Sequence, residues 1–298
     1  MRMTSTGLRV AAAMLVLGLT AACGGGGTPH AGSAGGTPGS APGSSASSSA
    51  SAPATPSPSA PGPWNLVLSD DFTGGSLDTA RWATCYDWNL DGCTNAGNNE
   101  LEWYLPNQVS VGGGSLQLTA QRQTTAGSDG HTYPWTSGMV TTGRDSWNAQ
   151  PRQTFQYGFF AAALRIPAQA GMFPALWLLP AAHDVPQEID IAEFAGTTQV
   201  VQNTIHWQRA DGSTDQQQHW FGPVNFPAGF HVFAVDWEPT SVTWYVDGKP
   251  VWKVTDRADI PAMPMELILN LAVGYPYPPP ANVDKAQLQV EWVRVWQH

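Results

Sequence analysis

The chain has 298 residues, and only 12% of them are charged. Its 23 acidic and 13 basic residues give a formal net charge of −10, which argues against nucleic acids and other anionic polymers as partners because like charges repel. An uncharged polymer is the better partner for such a chain.

The first 22 residues have the pattern of an export signal. Two arginines precede an apolar stretch from Val10 to Ala22, which is too short to anchor the chain across a bilayer. The run Leu19-Thr-Ala-Ala-Cys23 resembles a bacterial lipobox, whose cysteine is lipidated and becomes the mature N-terminus. Cleavage after Ala22 that leaves Cys23 free is the alternative. We therefore predict an exported, extracellular or cell-surface protein that contacts the membrane only through a lipid on Cys23.

Residues 23–62 form a low-complexity segment after the signal. From Gly24 to Gly62 the sequence is almost wholly Gly, Ser, Ala, Pro and Thr, so it cannot bury enough apolar surface to offset the conformational entropy lost on folding. We predict a flexible linker here. All 14 tryptophans and all 23 acidic residues follow it. The folded unit is therefore residues 63–298, which we expect to be one domain and a monomer.

Cys85 and Cys93 are the only cysteines after the linker. In an exported domain, a disulfide that closes the Asp-, Asn- and Gly-rich loop between them is favoured over a metal site with only two ligands. Two free thiols are the remaining alternative.

Strand-like segments follow one another through the domain with little helical periodicity. Asp247-Gly248, between two of these segments, predicts a tight hairpin turn. This series favours an all-β sandwich or jelly roll over folds wound from βαβ units, and the absence of a repeat of about 20 to 50 residues counts against a propeller. The segments are Ser115–Ala120, Gly158–Ile166, Gly171–Pro180, Glu188–Glu193, Asn203–Trp207, Phe233–Trp237, Val242–Val246, Val251–Val254, Met265–Val273 and Leu288–Trp296.

The run Glu188-Ile-Asp-Ile-Ala-Glu193 concentrates three carboxylates in one segment. A strand sends residues i and i+2 to the same face, so Glu188 and Asp190 agree and Glu193 does not. A β-bulge between Asp190 and Glu193 would add one unpaired residue and return all three acids to one side. A helix would instead bring Glu188 next to Ala192. The spacing favours a bulged strand, unless the acids are only the solvated face of an ordinary one.

Two carboxyl groups on one face are what a retaining glycosidase needs. One acts as nucleophile and the other as proton donor, at a separation of about 5–5.5 Å. Aromatic segments flank the acid run on both sides, at Gly171–Pro180 and Asn203–Trp207. This arrangement indicates a cleft for a sugar polymer.

Several separate motifs occur in order over nearly the whole domain. They are Asn98-Asn-Glu-Leu-Glu-Trp-Tyr104, Thr136-Ser-Gly-Met-Val-Thr-Thr142, Tyr157-Gly158, Phe173-Pro-Ala-Leu-Trp177, the acid run, His206-Trp207, Asn270-Leu-Ala-Val-Gly274 and Val293-Arg-Val-Trp296. With them, the chain from about Leu66 onward resembles glycoside hydrolase family 16, a family of retaining β-glycanases with a two-sheet, concanavalin A-like jelly roll. The bulged spacing of the acids is similar to the laminarinase branch, which cleaves β-1,3-glucan.

The resemblance implies a role for each of the three acids. Glu188 would be the nucleophile, Glu193 the general acid and then the general base, and Asp190 the group that orients and tunes the nucleophile. An ionised Glu188 would also hold a proton on Glu193 by raising the pKa of that group.

The resemblance also implies three substrate-binding residues. Trp177 would stack on a sugar ring, His206 would lie in the cleft near the acids, and Asn99 would hydrogen-bond sugar hydroxyls. Each has a structural alternative: a core residue for Trp177, a histidine bonded inside the sheet for His206 and a loop cap for Asn99. No cofactor is expected. Some relatives carry a structural calcium ion, but the sequence indicates no ligand cluster for one, and we assign no metal ligands.

Three departures from the family pattern concern specificity and leave the acids unchanged. Phe173 stands where the family often has Trp, and Met139 where many laminarinases have Arg. The run from Gly274 to Pro280 replaces the usual Gly-Gly-Trp.

The predicted function is a retaining endo-β-glucanase that hydrolyses internal β-1,3 bonds, including those of mixed β-1,3/1,4-glucans. One alternative is a relative that acts on another β-glycan, such as an exopolysaccharide or a galactan, or that transfers sugars to sugar acceptors. Another is a surface protein that binds polysaccharide without catalysis, since a fold alone permits that. Such a protein should lack Glu188 or Glu193, and both are present.

Overall fold

A computed structural model describes residues 63–85, 93–182 and 186–298. The predicted export signal of residues 1–22, the linker of residues 23–62 and the lipidation site Cys23 lie outside the described residues. Within the described ranges, no helix has the length and apolar character needed to cross a membrane.

The described residues form an almost entirely β structure, as the sequence predicts, with three short 3-10 helices at Ala96–Asn98, Pro106–Gln108 and Phe226–Ala228. The strands are β1 (Asn65–Asp70), β2 (Glu102–Tyr104), β3 (Val109–Gly112), β4 (Ser115–Gln121), β5 (Thr125–Ala126), β6 (Thr132–Tyr133), β7 (Trp135–Ser137), β8 (Met139–Thr141), β9 (Gly158–Arg165), β10 (Met172–Pro180), β11 (Glu188–Glu193), β12 (Val201–Gln208), β13 (Thr214–Phe221), β14 (His231–Glu238), β15 (Ser241–Val246), β16 (Lys249–Val254), β17 (Met265–Val273) and β18 (Lys285–Gln297).

Two large sheets contain most of these strands. The first has ten strands in the order β16-β15-β14-β9-β18-β4-β7-β2, with β1 paired to β18 and β3 to β4. The second has six strands in the order β13-β12-β11-β10-β17-β8, and β5 and β6 form a separate pair. Neighbours such as β10 and β17 are far apart in sequence, which is typical of a jelly roll. The predicted two-sheet fold is confirmed.

The main core lies between the two sheets and is built from alternating apolar residues. Phe233, Val235 and Trp237 of β14 share one face and are fully buried in this core. Fully burying an aliphatic or Phe side chain contributes about 1.5–3 kcal/mol, so such rows are a large part of the stability. The ten-stranded sheet is also covered on its other face, where Phe159 and Trp292 belong to a second apolar cluster.

The predicted hairpin turn joins β15 and β16. Val246 pairs with Lys249, and the two residues between them, Asp247 and Gly248, have φ of 49° and 76°. Positive φ at both central positions is the requirement of a type I′ turn, whose twist matches that of the flanking strands. The Asp247 carboxylate also accepts a hydrogen bond of 2.9 Å from the backbone N–H of Val232.

Cys85 and Cys93 form a disulfide in the structure, with their Cα atoms 5.0 Å apart. Cys93 packs against a small buried cluster that includes Tyr104 and Trp177. Its backbone carbonyl accepts a 2.7 Å hydrogen bond from the N–H of Tyr104. The crosslink is therefore attached to the wall of the cleft described below.

Candidate active site

The predicted β-bulge in β11 is present between Asp190 and Glu193. Toward β12, the three steps from Asp190 to Glu193 face only the two steps from Thr204 to Gln202. Toward β10, the pairing slips by one residue at the same place. The three apolar residues among the acids are buried in the core between the sheets. Glu188, Asp190 and Glu193 therefore share the opposite face, which confirms the geometry expected from the spacing.

Two buried side chains hold the backbone of the bulge. The Asn203 side-chain amide donates a 2.7 Å hydrogen bond to the carbonyl of Ile191, a residue that the bulge removes from regular pairing. The Trp244 indole, which reaches across from β15 in the other sheet, donates one of 2.8 Å to the carbonyl of Asp190. Leaving a buried carbonyl without a partner costs about 1–3 kcal/mol, so these bonds fix the bulge in one shape.

Glu188 and Glu193 line one cavity, with the fully buried Asp190 between them in sequence. The rest of its wall comes from β10, β17 and the loop before β2. The other lining residues are Asn95, Asn98, Glu100, Phe173, Ala175, Trp177 and Asn270. A second depression, near residues 168–172 and 196–199, has no charged side chain, so it offers no acid–base chemistry.

Burial and mutual repulsion raise the pKa values of all three acids. For Glu193, burial and then the charge of Glu188 raise the pKa to about 8. Burial also raises the pKa of Glu188, together with the charge of Asp190, while His206 lowers it. The pKa of Asp190 is raised by burial and by the charge of Glu193. Carboxyl groups this close cannot all ionise, so the cluster holds a proton near neutral pH and can donate it.

His206 lies beside the acids. It pairs across the strands with Glu188, and its Nε2 is 3.2 Å from Oδ2 of Asp190. The ring is therefore a neighbour of two carboxyl groups and can stabilise their negative charge. Glu188, Asp190 and His206 also bring one ligand atom each to within 4.8 Å of one another, and no other such group of three His, Cys, Asp or Glu side chains occurs in the described ranges.

Trp177 is both a buried residue and part of the cavity wall. Its side chain is buried, with 7% of the residue exposed, yet it lines the cavity. Its Nε1 donates a 2.8 Å hydrogen bond to Oδ1 of Asn270, whose amide nitrogen donates one of 3.1 Å to the hydroxyl of Tyr104. The indole is thus fixed in orientation, and only part of it is open to a ligand.

Asn99 is exposed and is not among the residues that line the cavity. Its φ of 55° lies in the left-handed region, which Asn tolerates better than most residues. Its neighbour Asn98 lines the cavity instead and donates a 3.0 Å hydrogen bond to Oε1 of Glu100. The motif that pointed to Asn99 therefore contributes a different asparagine to the cavity.

Glu100 and Glu102 form a second buried pair of acids that the sequence reasoning missed as site residues. Burial raises the pKa of Glu100, and burial with the charge of Glu100 raises that of Glu102 further. The charge of Glu100 in turn contributes to the raised pKa of Glu193. The motif Asn98–Tyr104 contained both acids, and their i, i+2 spacing was the available signal.

Comparison with known proteins gives a consistent result. Residues 98–294 match the sequence profile of the family described as Glycosyl hydrolases family 16. A glucan endo-1,3-beta-glucosidase A1 of Niallia circulans is 32% identical over 277 residues, which cover 82% of this chain and 39% of that protein. A beta-glucanase of Rhodothermus marinus is 32% identical over 264 residues, covering 78% of this chain and 85% of that protein.

A solved structure agrees with both relatives. The catalytic domain of an endo-1,3-beta-glucanase (laminarinase) from Thermotoga petrophila superposes with a TM-score of 0.65 at 27% identity, over 79% of this chain and 98% of that domain. The aligned part of this chain thus spans less than half of the first relative, and most of the second relative and of the solved domain.

Proposed function

The chain belongs to the Glycosyl hydrolases family 16, and from this premise we propose that it is a retaining endo-β-glucanase that hydrolyses internal β-1,3 bonds, also in mixed β-1,3/1,4-glucans. The observation that carries the proposal is the bulged strand, which presents Glu188 and Glu193 to one cavity. The names of the two relatives and of the solved laminarinase support the substrate.

Glycosylation is the first of two displacements. The ionised carboxylate of Glu188 attacks the anomeric carbon of the sugar held in the cavity, while Glu193 gives its proton to the glycosidic oxygen. The bond between that oxygen and the anomeric carbon breaks, and the leaving sugar departs as an alcohol. The raised pKa of Glu193 keeps this proton available at neutral pH.

Deglycosylation completes the turnover. Once Glu188 is esterified its charge is gone, so one cause of the raised pKa of Glu193 is removed and this group becomes a better base. Glu193 then takes a proton from water as the water oxygen attacks the anomeric carbon and Glu188 is released. Two inversions give a product with the original configuration.

Asp190 and His206 orient the nucleophile in this proposal. Asp190 is buried next to Glu188 and contacts His206 over 3.2 Å, so the pair can hold the Glu188 carboxylate in one rotamer. His206 also favours the ionised form of Glu188, because it lowers the pKa of that group.

Sugar contacts are proposed for the residues around the acids. The accessible part of Trp177 offers an apolar surface, and the side chains of Asn98 and Asn270 offer amide groups for hydroxyls. Asn99, exposed at the rim, would contact sugar units outside the cavity. The two-carboxyl reaction uses only side chains of this chain, and the expectation that it needs no cofactor stays a prediction.

The site of action follows from the sequence pattern alone. We propose that the protein is exported and acts outside the membrane as a monomer, held there by a lipid on Cys23 when the lipobox is processed. Incorporation of labelled palmitate in a bacterial host, compared with a Cys23→Ser variant, tests the lipid.

Product analysis tests the proposed activity. Purified protein is incubated in parallel with laminarin, mixed-linkage glucan, agarose and xyloglucan, and the products are separated by chromatography. Short oligosaccharides from laminarin, with a slower or no release from agarose and xyloglucan, are expected. Cleavage of another polymer alone would overturn the substrate, and no cleavage of any of the four would overturn the enzymatic function.

A further inference from the structure

β13 extends the acid-bearing face of the six-stranded sheet by one more strand. Its residues Gln216 and Trp220 pair across the strands with His206 and Gln202 of β12, and Gln218 lies between them in the same alternation. Because cross-strand partners point to the same side of a sheet, these side chains face the same way as the acids. Two glutamines and one tryptophan therefore continue the surface that begins at Glu193.

Trp220 is held in place by a neighbour of Glu193. The Gln202 side-chain amide donates a 3.4 Å hydrogen bond to Oε2 of Glu193, and its Oε1 accepts one of 3.3 Å from the indole Nε1 of Trp220. Trp220 is nevertheless 57% exposed, in a protein that buries most of its large aromatic side chains. An exposed indole with a fixed ring is suited to stack on an apolar sugar face.

The position of Trp220 relative to the cavity indicates which sugar it would meet. The cavity wall lies on the β10 and β17 side of β11, whereas Trp220 lies on the opposite side, two strands away. Adjacent strands are about 4.8 Å apart, so Trp220 is about 10 Å from Glu193 along this row. In the proposed mechanism Glu193 protonates the leaving oxygen, so a sugar chain that leaves the cavity past Glu193 would cross β12 and β13.

We propose that Trp220, held by Gln202 and accompanied by the amide of Gln218, forms a leaving-group subsite that binds the reducing-end part of the β-glucan beyond the cleaved bond. This inference rests on the proposed hydrolytic function and adds a binding site to it. The indole stacks on a glucosyl unit, and the Gln218 amide hydrogen-bonds its hydroxyls. The same subsite would hold an acceptor sugar, so it also favours transfer over hydrolysis when oligosaccharide is abundant.

Comparing two substrates measures the contribution of this subsite apart from the rest of the cleft. Laminarihexaose occupies both sides of the cleavage point, whereas the leaving group of β-laminaribiosyl fluoride is a single atom that cannot reach Trp220. Trp220→Ala should lower kcat/KM for laminarihexaose about 5- to 10-fold, the size expected for one aromatic contact, and should leave fluoride release unchanged within about twofold. The cleavage of laminarihexaose should also shift toward its reducing end, because fewer units are retained on the leaving side.

Three further proteins serve as controls. Trp220→Phe keeps an aromatic ring and should recover most of the activity, whereas Trp220→Leu keeps apolar bulk without the ring and should not. Leu66→Ala removes an exposed apolar side chain from the other sheet and should change the rate with neither substrate. Thermal unfolding shows whether each variant is folded. If Trp220→Ala does not fold, the rates of Trp220→Phe and Trp220→Leu with the two substrates are compared instead.

The outcomes distinguish the inference from the function on which it rests. Equal losses on both substrates would mean that Trp220 supports the cleft as a whole and would overturn the subsite, as would an unchanged rate and cleavage pattern with laminarihexaose. A loss on laminarihexaose alone without a shift of its cleavage position would also overturn the subsite, because it would mean that Trp220 acts through the proton of Glu193, which fluoride does not need. A wild-type protein that cleaves neither substrate would overturn the proposed function and this inference together.

Discussion

Glu188 and Glu193 occupy similar surroundings, and the proposed mechanism gives them opposite protonation states. Both are half-buried, and both have a raised pKa. Their charged neighbours differ: Asp190 raises and His206 lowers the pKa of Glu188, whereas the charges of Glu188 and Glu100 raise the pKa of Glu193. The proposed mechanism gives the charge to Glu188 because that residue lies beside His206, which lowers its pKa.

Replacing the nucleophile should abolish turnover without preventing binding. Glu188→Gln keeps the shape of the side chain but removes the charge that attacks the anomeric carbon, so kcat on laminarin should fall by at least about 10³-fold. Binding of laminarihexaose, measured by calorimetry, should change little. Glu291→Gln on β18 of the other sheet is the control and should keep full activity. Turnover by Glu188→Gln at the wild-type rate would refute the assignment of the nucleophile.

The rate should fall as the pH rises through about 8, because Glu193 then loses the proton that the leaving oxygen needs. The measurement is kcat/KM for laminarihexaose between pH 5 and 10. With β-laminaribiosyl fluoride the falling limb should disappear, since fluoride departs without a proton. A rate for laminarihexaose that stays constant up to pH 10 would contradict the role of Glu193 as the acid.

The raised pKa of Glu193 also links its proton to stability. The folded state binds the proton more tightly than the unfolded state, where the ordinary pKa of 4.5 applies. The contribution of Glu193 is therefore fully present below about pH 4.5 and is lost as the pH rises through about 8. Glu193→Gln should remove this part of the pH dependence from the free energy of unfolding.

At the scale of elements, the bulge in β11 places Glu188, Asp190 and Glu193 on the same face of the sheet. Asn203 satisfies the carbonyl of Ile191 there over 2.7 Å. Asn203→Ala should lower the free energy of unfolding by about 1–3 kcal/mol, because a buried carbonyl loses its partner, and kcat should also fall as the acids lose their fixed phase. Urea denaturation and kcat on laminarin are the two measurements.

A matched variant separates the two effects of Asn203→Ala. Gln117 on β4 donates a 3.1 Å hydrogen bond from its side chain to the carbonyl of Gly112, far from the acids in the other sheet. Gln117→Ala should therefore cost some stability and leave kcat unchanged. If Asn203→Ala behaves in the same way, the bulge does not depend on this bond for catalysis.

The strands that could be predicted are those that bury apolar rows. β14, β15 and β17 have apolar residues at the spacing of a strand, and the Asp247-Gly248 turn determines the connection between β15 and β16. β13 was missed because Thr214–Phe221 is rich in polar side chains, and its pairing with β12 comes from the backbone. The bulge could be predicted because Glu188 and Glu193 are five residues apart. A regular strand would place them on opposite faces, and one extra unpaired residue returns them to the same face.

Site residues from distant segments were beyond the reach of the sequence. Asn270, Tyr104 and Trp177 meet in one hydrogen-bonded chain, and nothing in their separate surroundings in the sequence indicates this contact. Asn99 and Asn98 show the same limit at short range, because the left-handed backbone of Asn99 decides which of the two faces the cavity. The motif thus predicted the position of the cavity-lining asparagine to within one residue, and the backbone conformation places Asn98 there.

At the scale of the whole molecule, the net charge of −10 should make the proposed activity selective for uncharged glucans. A carboxymethylated β-1,3-glucan should be cleaved more slowly than its neutral parent at low salt, and added salt should reduce the difference because it screens the repulsion. The measurement is kcat/KM for both polymers between about 10 and 300 mM NaCl, where the Debye length falls from about 30 Å to below about 8 Å. If kcat/KM for neutral laminarin had the same salt dependence as kcat/KM for the carboxymethylated polymer, the cause of the difference would not be electrostatic.

The hydrogen bond from Trp244 to the carbonyl of Asp190 joins the two sheets at the catalytic strand. When heat begins to separate the sheets, this bond must break, and the acids lose their alignment at that moment. A state in which the two sheets have separated should therefore be inactive. Loss of activity and loss of tertiary structure should occur at the same temperature. Substitutions that improve packing between the sheets should therefore delay thermal inactivation more than substitutions at the cleft rim, which leave this contact unchanged.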